Sequence, residues 1–185
     1  NDFSEIGLDY WVSGYGTGGT VSGVGRVLRE KSPGTKIILT EPENAALIAS
    51  ELKQDRHSDN TPATSHSSWS PHLIQGWTPD FIPFVLQEAI DNKYFDKLLP
   101  VSGEQGITWA KRLARAEGII TGISGGSTFA IAMEVAKDAP PDSNILCMLP
   151  DTGERYLSSP LFEEIPEEMT DDEKKISLST PNYQL

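Results

Sequence analysis

Short apolar runs alternate along the chain with longer segments in which apolar residues recur every three or four positions. Four of the runs are rich in aliphatic, β-branched and aromatic residues and lie next to glycine or proline, which is typical of buried strands. These predicted strands are 8–14 (LDYWVSG), 36–42 (KIILTEP), 97–103 (KLLPVSG) and 144–150 (NILCMLP).

Helical spacing fills the segments between the predicted strands. After the first run, four apolar residues recur on one helical face and the stop signal SPG follows them: Val21, Val24, Val27 and Leu28. Strand, helix and strand within about 30 residues form a βαβ unit, which predicts parallel pairing. Further helices are predicted at 43–52 (ENAALIASEL), 81–90 (FIPFVLQEAI), 104–117 (EQGITWAKRLARAE) and within 118–137 (GIITGISGGSTFAIAMEVAK).

The last two predicted helices carry additional signals. Ser102 and Gln105 form a capping-box pattern, and Gly118 supplies a stop. The final helix follows an apolar run and a glycine turn, and it places four apolar residues on one face: Phe129, Ala132, Met133 and Ala136.

This order of elements predicts an α/β fold with three layers, in which an open, mostly parallel sheet has helices on both faces. The predicted domain covers residues 1–162. The polar stretch 53–71 is predicted to be an exposed loop or insertion. Residues 163–185 are acidic and interrupted by proline, and we expect them to form a loosely held tail.

Charge and composition exclude several classes of partner. The net charge is −12, which disfavours binding to nucleic acid or to an anionic membrane surface. No run of about eighteen apolar residues is present to span a bilayer, and no signal peptide is evident.

The single Cys147 favours a reducing, cytoplasmic compartment and a role as a small buried hydrophobe. Three histidines lie in one irregular stretch without helical ligand spacing, so no metal site is predicted: His57, His66 and His72.

The strongest chemical signal is the glycine-rich segment VSGYGTGGTVSG at 12–23, between the first strand and its helix. A nucleotide triphosphate loop requires a lysine at its end, but no lysine precedes Lys31. The dinucleotide pattern G-x-G-x-x-G is matched by Gly14, Gly16 and Gly19, and Glu41 follows where an acid would meet a ribose. A nicotinamide-binding domain is therefore an alternative.

This segment has more hydrogen-bond donors than a dinucleotide loop needs, which favours a terminal phosphate as its ligand. A phosphate monoester offers three oxygens, and backbone amides at a helix N-terminus attract them together with the helix dipole. Glycine allows the backbone to approach closely, and the hydroxyls of Thr17 and Thr20 can complete the shell.

The same segment resembles the phosphate loop of the cysteine synthase (O-acetylserine sulfhydrylase) family of fold-type-II pyridoxal-phosphate enzymes. Cystathionine β-synthase and threonine dehydratase are relatives of that family. The resemblance continues in the family's order through TEP (40–42), HLIQGWTPDFIP (72–83), EGIITGISGGST (117–128) and LPDTGERYLSSPLF (149–162).

The resemblance implies a cofactor and its contacts. Pyridoxal 5′-phosphate would place its phosphate in a loop of five residues: Gly16, Thr17, Gly18, Gly19 and Thr20. Thr152 matches the position of a hydroxyl beside the pyridine nitrogen, with neighbouring Asp151 as the alternative. Gly76 belongs to a loop that lines the substrate entrance. Trp77 stands there in place of the small residues usual in the family, and this departure leaves the substrate size and the preference for O-acetylserine open. The turn at 122–127 matches an active-site wall, although a tight helix start without ligand contact explains it equally well.

The resemblance covers only the later part of the family's length, so no catalytic residue is assigned. None of the nine lysines lies in the S-x-K context of the family's Schiff-base lysine, and the chain by itself is expected to be inactive. The implied reaction is β-replacement on O-acetylserine or a related activated serine, with sulfide giving cysteine. A lyase like cystathionine β-synthase or threonine dehydratase is the alternative.

The resemblance also implies partners. They are a small amino-acid substrate and sulfide, a second copy of the chain in a homodimer, and the C-terminal tail of serine acetyltransferase. An organelle remains open as the compartment, because the family's targeting peptides precede the part that this sequence matches.

Overall fold

The computed structural model describes residues 2–179. Its nine helices and strands follow the order β1 (Tyr10–Gly14), α1 (Gly19–Lys31), β2 (Lys36–Pro42), α2 (Phe84–Asp91), β3 (Lys97–Val101), α3 (Gly103–Glu117), α4 (Ile123–Asp138), β4 (Ile145–Cys147) and α5 (Asp171–Ser179). Short 3₁₀ turns lie at Gly153–Tyr156 and Pro160–Phe162. The four predicted strands are confirmed.

The strands form one parallel sheet in the order β3-β2-β1-β4. Alternate residues of a strand face opposite sides. Trp11 and Ile37 therefore enter a core with α1 and α2, whereas Val12 and Ile38 enter a second core with α3 and α4. Helices cover both faces of the sheet, and the predicted three-layer α/β fold is confirmed.

Helices α3 and α4 pack through glycine. A Cβ atom on Gly126 would lie 2.0 Å from the carbonyl oxygen of Gly106 and 2.7 Å from the amide nitrogen of Ala110. A Cβ atom on Gly106 would lie 2.2 Å from the Ser127 hydroxyl. The two backbones are close enough that only glycine fits at the crossing.

The predicted capping box at the start of α3 is present, with Ser102 accepting from the Gln105 amide.

The predicted helix at 43–52 does not form. Instead, this segment makes irregular turns in which Ala45 and Leu47 are buried in the α1–α2 core. The Glu41 carboxylate accepts hydrogen bonds from the amides of Ile48 and Ala49, which a helix there would give to carbonyls. A buried side chain therefore overrides the helical propensity of the segment.

Other differences concern burial. The predicted apolar face of α4 is buried only in part: Ala132 lies in the core, but Met133 is 37% exposed. The other buried residues of the helix are those of its first turns together with Ala130 and Ile131. The stretch 53–71 contains no helix or strand, as predicted, but it is not wholly exposed. His66 is buried, and its ring hydrogen-bonds the Ser68 amide and the Leu52 carbonyl.

Within the described range, residues 163–179 contain α5, which buries no side chain. The remainder of the predicted tail, 180–185, lies outside the described residues. No helix in the described part of the chain combines the length and apolar character needed to cross a membrane.

The glycine contact between α3 and α4 predicts a sharp difference between two helical glycines. Gly126→Ala should destabilise the protein by about 1–3 kcal/mol, because the added methyl overpacks the helix crossing. Gly23→Ala in α1 is the matched control, since a Cβ there meets nothing within 4 Å. It should be neutral or stabilising by up to about 1 kcal/mol. Equilibrium urea unfolding measures both, and equal effects would contradict the packing argument.

Candidate active site

The glycine loop connects β1 to α1 at the carboxyl end of the sheet. Gly18 precedes the helix in the left-handed conformation with φ of 90°, and a Cβ on it would lie 2.6 Å from the Leu86 Cα. A Cβ on Gly16 would lie 2.4 Å from the Gly76 carbonyl oxygen. Two separate segments thus approach the loop backbone at distances that only glycine permits.

The loop presents unused hydrogen-bond donors. Among the described residues, the amides from Gly16 to Val21 donate to no carbonyl, and the first bond of the helix is from the Ser22 amide to Gly18. The hydroxyls of Thr17 and Thr20 are exposed and make no hydrogen bond within that same part of the chain. The loop surrounds a recess of about 60 Å³. The arrangement suits an anion, because the donors and the positive end of α1 converge.

A larger cavity of about 380 Å³ adjoins the loop. Four predicted site residues line it: Gly16, Thr17, Thr20 and Gly76. The predicted residues Gly18 and Gly19 line the smaller recess. The volume lies in the range of small-molecule sites, about 300–1,000 Å³. We call this larger space the main cavity.

Trp77 forms one wall of the main cavity. A Cβ on Gly14 would lie 2.0 Å from the Trp77 ring, so the indole rests directly on the end of β1. The Thr78 amide donates to the Tyr15 carbonyl, and the Thr78 carbonyl accepts from the Trp69 indole at 3.0 Å. These contacts fix the loop and hold the bulky ring in place.

The start of α4 forms another wall. Ser124 and Thr128 line the main cavity, while Gly125 and Gly126 face the protein interior, where a Cβ on Gly125 would lie 2.0 Å from the Thr121 hydroxyl. The glycines of the turn at 122–127 therefore serve packing, and Ser124 of the same turn lines the main cavity. Its role as an active-site wall stays a prediction.

The segment after β4 supplies the titratable side chains of the main cavity, Asp151 and Tyr156. The Tyr156 hydroxyl donates to Asp151 Oδ2. Burial and the Asp151 carboxylate raise the pKa of Tyr156 to about 12, so the phenol remains a donor at neutral pH. Thr152, in contrast, does not line this cavity: it is exposed and lies beside Glu154, whose pKa it lowers.

Glu41 is not available to a ligand. It is 1% exposed, and its carboxylate accepts from the Tyr15 hydroxyl at 2.5 Å as well as from two backbone amides. Desolvation raises the pKa of Glu41. The acid required by the dinucleotide alternative is therefore a structural group inside the α1–α2 core.

Sequence reasoning missed several lining residues, among them Ser13, Gln75 and Met148. Ser13 and Met148 lie at or just past the carboxyl ends of β1 and β4, where ligands bind in open parallel sheets, and this rule is the signal that could have found them. In the described part of the chain, no group of three or more histidine, cysteine or carboxylate side chains could hold a metal ion.

The fold is a parallel α/β domain in which amides and hydroxyls without hydrogen-bond partners gather between β1 and α1. Residues 3–151 match the profile of the family described as pyridoxal-phosphate dependent enzyme. The chain belongs to this family, and its cofactor is pyridoxal phosphate.

Several relatives are similar along nearly the whole chain. O-ureido-L-serine synthase of Streptomyces lavendulae is 41% identical over 179 residues, covering 97% of this chain and 49% of that enzyme. A cysteine synthase of Staphylococcus aureus is 34% identical over 155 residues, covering 84% of this chain and 44% of that enzyme. A crystal structure of O-ureido-L-serine synthase superimposes with a TM-score of 0.76 at 40% identity, covering 95% and 49% of the two chains. The chain thus spans about half the length of these relatives.

The buried Glu41 predicts a pH dependence of stability. The pKa of Glu41 is higher in the folded protein than its ordinary value of 4.5. The stability that this group contributes is therefore fully present below pH 4.5 and is lost as the pH rises through the pKa of the folded protein. The free energy of unfolding of the wild type should therefore fall relative to that of Glu41→Gln as the pH rises above 4.5.

Urea unfolding at several pH values measures this difference. Glu43→Gln, at an exposed position two residues on, should retain the wild-type pH dependence. A wild type that instead gains stability over Glu41→Gln with rising pH would show that the hydrogen bonds to the carboxylate outweigh its desolvation.

Proposed function

We propose that this chain forms the phosphate-binding part of an enzyme that replaces the β-substituent of an activated serine. The observation that carries the proposal is the convergence of free amides and two free hydroxyls at the start of α1, next to the main cavity. The family membership supports pyridoxal phosphate as the occupant. Relatives named for serine-derived products support the reaction class.

The residues present fit this cofactor. Gly16, Gly18 and Gly19 allow the loop backbone to approach a phosphate, and Thr17 and Thr20 add hydroxyl donors. No lysine or arginine lines the loop recess or the main cavity in the described part of the chain. Amides and the helix dipole would therefore stabilise the phosphate.

Bound pyridoxal phosphate withdraws electrons from the amino-acid Cα, which allows a proton to leave Cα and a substituent to leave Cβ. The chain's own residues position and enclose the reactants. Trp77 and Gly76 bound the substrate side of the main cavity and limit the entry of water. Ser124 and Thr128 line the same space.

Two nucleophiles are candidates for the group that is added to Cβ. Sulfide would give cysteine, as the resemblance implies and as the cysteine synthase relative suggests. The higher identity to O-ureido-L-serine synthase favours a second candidate, hydroxyurea, whose oxygen would form the new bond to Cβ. The bond from Cβ to the acetate oxygen breaks, and the proton of the nucleophile goes to solvent. Trp77 in place of small residues agrees with a substrate choice different from that of a cysteine synthase.

For the ring nitrogen of the cofactor, Thr152 stays the predicted partner, with Asp151 as the alternative. A homodimer and binding of the serine acetyltransferase tail also stay predictions.

Replacing the loop hydroxyls tests the cradle. Thr17→Val and Thr20→Val should each weaken binding of pyridoxal phosphate about tenfold, because a hydrogen bond to a charged group contributes about 1.5–3 kcal/mol. Calorimetric titration of the chain measures the affinity. The control is Thr64→Val, at an exposed position remote from the loop, which should bind like the wild type. Unchanged affinity in both loop variants would contradict the assignment.

The nucleophile is tested in a two-part enzyme. The chain is co-expressed with the segment of the Streptomyces lavendulae enzyme that it does not span, and O-acetylserine is supplied with either sulfide or hydroxyurea. Formation of cysteine or O-ureidoserine identifies the preferred nucleophile. Cofactor binding with neither product would contradict β-replacement on O-acetylserine.

A further inference from the structure

Tyr15 is the one large side chain of the glycine loop, and it lies on the side of the loop away from the main cavity. The other residues of 14–20 (GYGTGGT) are glycines and threonines. Tyr15 is only 2% exposed, and its ring packs in the α1–α2 core rather than in the main cavity. Thr17 and Thr20 are exposed. One buried side chain therefore anchors the loop from inside.

The Tyr15 phenol is joined to a buried carboxylate. It donates to Glu41 Oε2 at 2.5 Å, and Glu41 also accepts from the amides of Ile48 at 3.1 Å and Ala49 at 2.9 Å. Burial and the Glu41 carboxylate raise the pKa of Tyr15, so the phenol keeps its proton and remains a donor at neutral pH. Because both side chains are buried, their hydrogen bond is electrostatically stronger than one in water.

The backbone of Tyr15 joins the glycine loop to the loop that carries Trp77. The Tyr15 carbonyl accepts from the Thr78 amide at 2.9 Å. The preceding residue, Gly14, rests against the Trp77 ring. Tyr15 therefore stands where three segments meet: the glycine loop, the loop of Trp77, and the segment whose amides bind Glu41.

The start of α1 lacks the usual local means of fixing a helix terminus. The helix begins at Gly19 with no side-chain cap, and four glycines in 14–20 give this segment high conformational freedom in the unfolded chain. If the loop were mobile before binding, the free energy of ordering it would be subtracted from its affinity for a phosphate. An anchor that orders the loop in advance therefore raises this affinity.

We propose that the hydrogen bond between Tyr15 and Glu41 preorganises the glycine loop for phosphate binding. This role rests on the proposed function and deepens it, because it identifies residues that set the affinity of the same site. Tyr15 and Glu41 are positioning residues. Neither side chain reaches the main cavity, and Tyr15 acts through the loop amides that follow it in the chain.

Calorimetric titration of the chain with two probes tests this role. Pyridoxine 5′-phosphate carries the phosphate of the cofactor but forms no bond to lysine, and pyridoxine is the same molecule without the phosphate. Tyr15→Phe removes only the phenol oxygen and should weaken binding of pyridoxine 5′-phosphate about fivefold, with pyridoxine changed less than about twofold. Glu41→Gln should act in the same direction, because the amide nitrogen that replaces one carboxylate oxygen cannot accept from the phenol or from a backbone amide.

The double variant tests whether the two residues act through one bond. Adding Tyr15→Phe to Glu41→Gln should weaken phosphate binding no further, because the bond is already lost. Additive losses would show that the residues act independently and would overturn the proposal. Tyr94→Phe is the matched control, since Tyr94 packs against the same core beside Gly25 of α1. It should leave both affinities at their wild-type values.

The heteronuclear ¹⁵N–¹H NOE of the loop amides measures the order of the loop itself on the picosecond to nanosecond timescale. In the ligand-free wild type, the amides of Gly16 and Gly18 should be as ordered as those in the middle of α1, and Tyr15→Phe should lower their order. A wild-type loop that is mobile before the ligand binds would overturn the proposal, even if both variants fail to fold.

Equal losses for pyridoxine and its phosphate would reveal a merely structural role and overturn the proposal. Near-ultraviolet circular dichroism checks that each variant folds. A wild-type chain that does not bind pyridoxine 5′-phosphate would contradict the proposed function itself. Normal wild-type binding with insensitive variants would overturn the positioning role alone.

Discussion

The close approach of three backbone segments at the end of β1 is the constraint on which the site depends. Gly14 accommodates the Trp77 ring, Gly16 meets the Gly76 carbonyl, and Gly18 rests on the start of α2. Any side chain at these positions would separate the segments. The first amides of α1 lack intrahelical carbonyl partners, as in any helix, and none of the packed segments supplies a carbonyl to them; this is the property that suits a phosphate. In this acidic chain, with a net charge of −12, the described residues that line the proposed phosphate site include no basic side chain.

Much of the fold could be predicted from sequence because the local signals agree. Buried strands need continuous apolar runs, and Ser102, Gln105 and Gly118 mark the limits of α3 with side-chain and backbone chemistry that acts over a few residues. The segment 43–52 could not be predicted in this way. Its helical propensity is real, but Glu41, a residue of the preceding strand, captures two of its amides. Such a bond depends on the tertiary position of a buried carboxylate, which no local pattern reports.

Only part of the candidate site could be predicted from the sequence, for a similar reason. The glycine loop is contiguous, so its proposed role could be predicted from the twelve residues 12–23. The remaining walls come from separate elements that meet at the carboxyl edge of the sheet: Ser13 from β1, Gln75 from a loop, and Tyr156 from a 3₁₀ turn. Isolated serines and tyrosines carry no periodic signal. The choice between Asp151 and Thr152 for the ring nitrogen illustrates the same limit, since adjacent residues in an irregular segment can face either way.

The glycine contact between α3 and α4 has a consequence for how such a site can diversify. Ser124 and Thr128 belong to a helix that is packed against α3 at Gly126, so changes in this wall are tied to the packing of the two helices. The loop that carries Trp77 is held by two backbone bonds, from the Trp77 amide to the Ile74 carbonyl and from the Thr78 amide to the Tyr15 carbonyl, and by the Trp69 indole, which donates to the Thr78 carbonyl. None of these bonds uses the side chain at position 77, so evolutionary change in substrate choice can accumulate at that position while the scaffold beneath it stays intact.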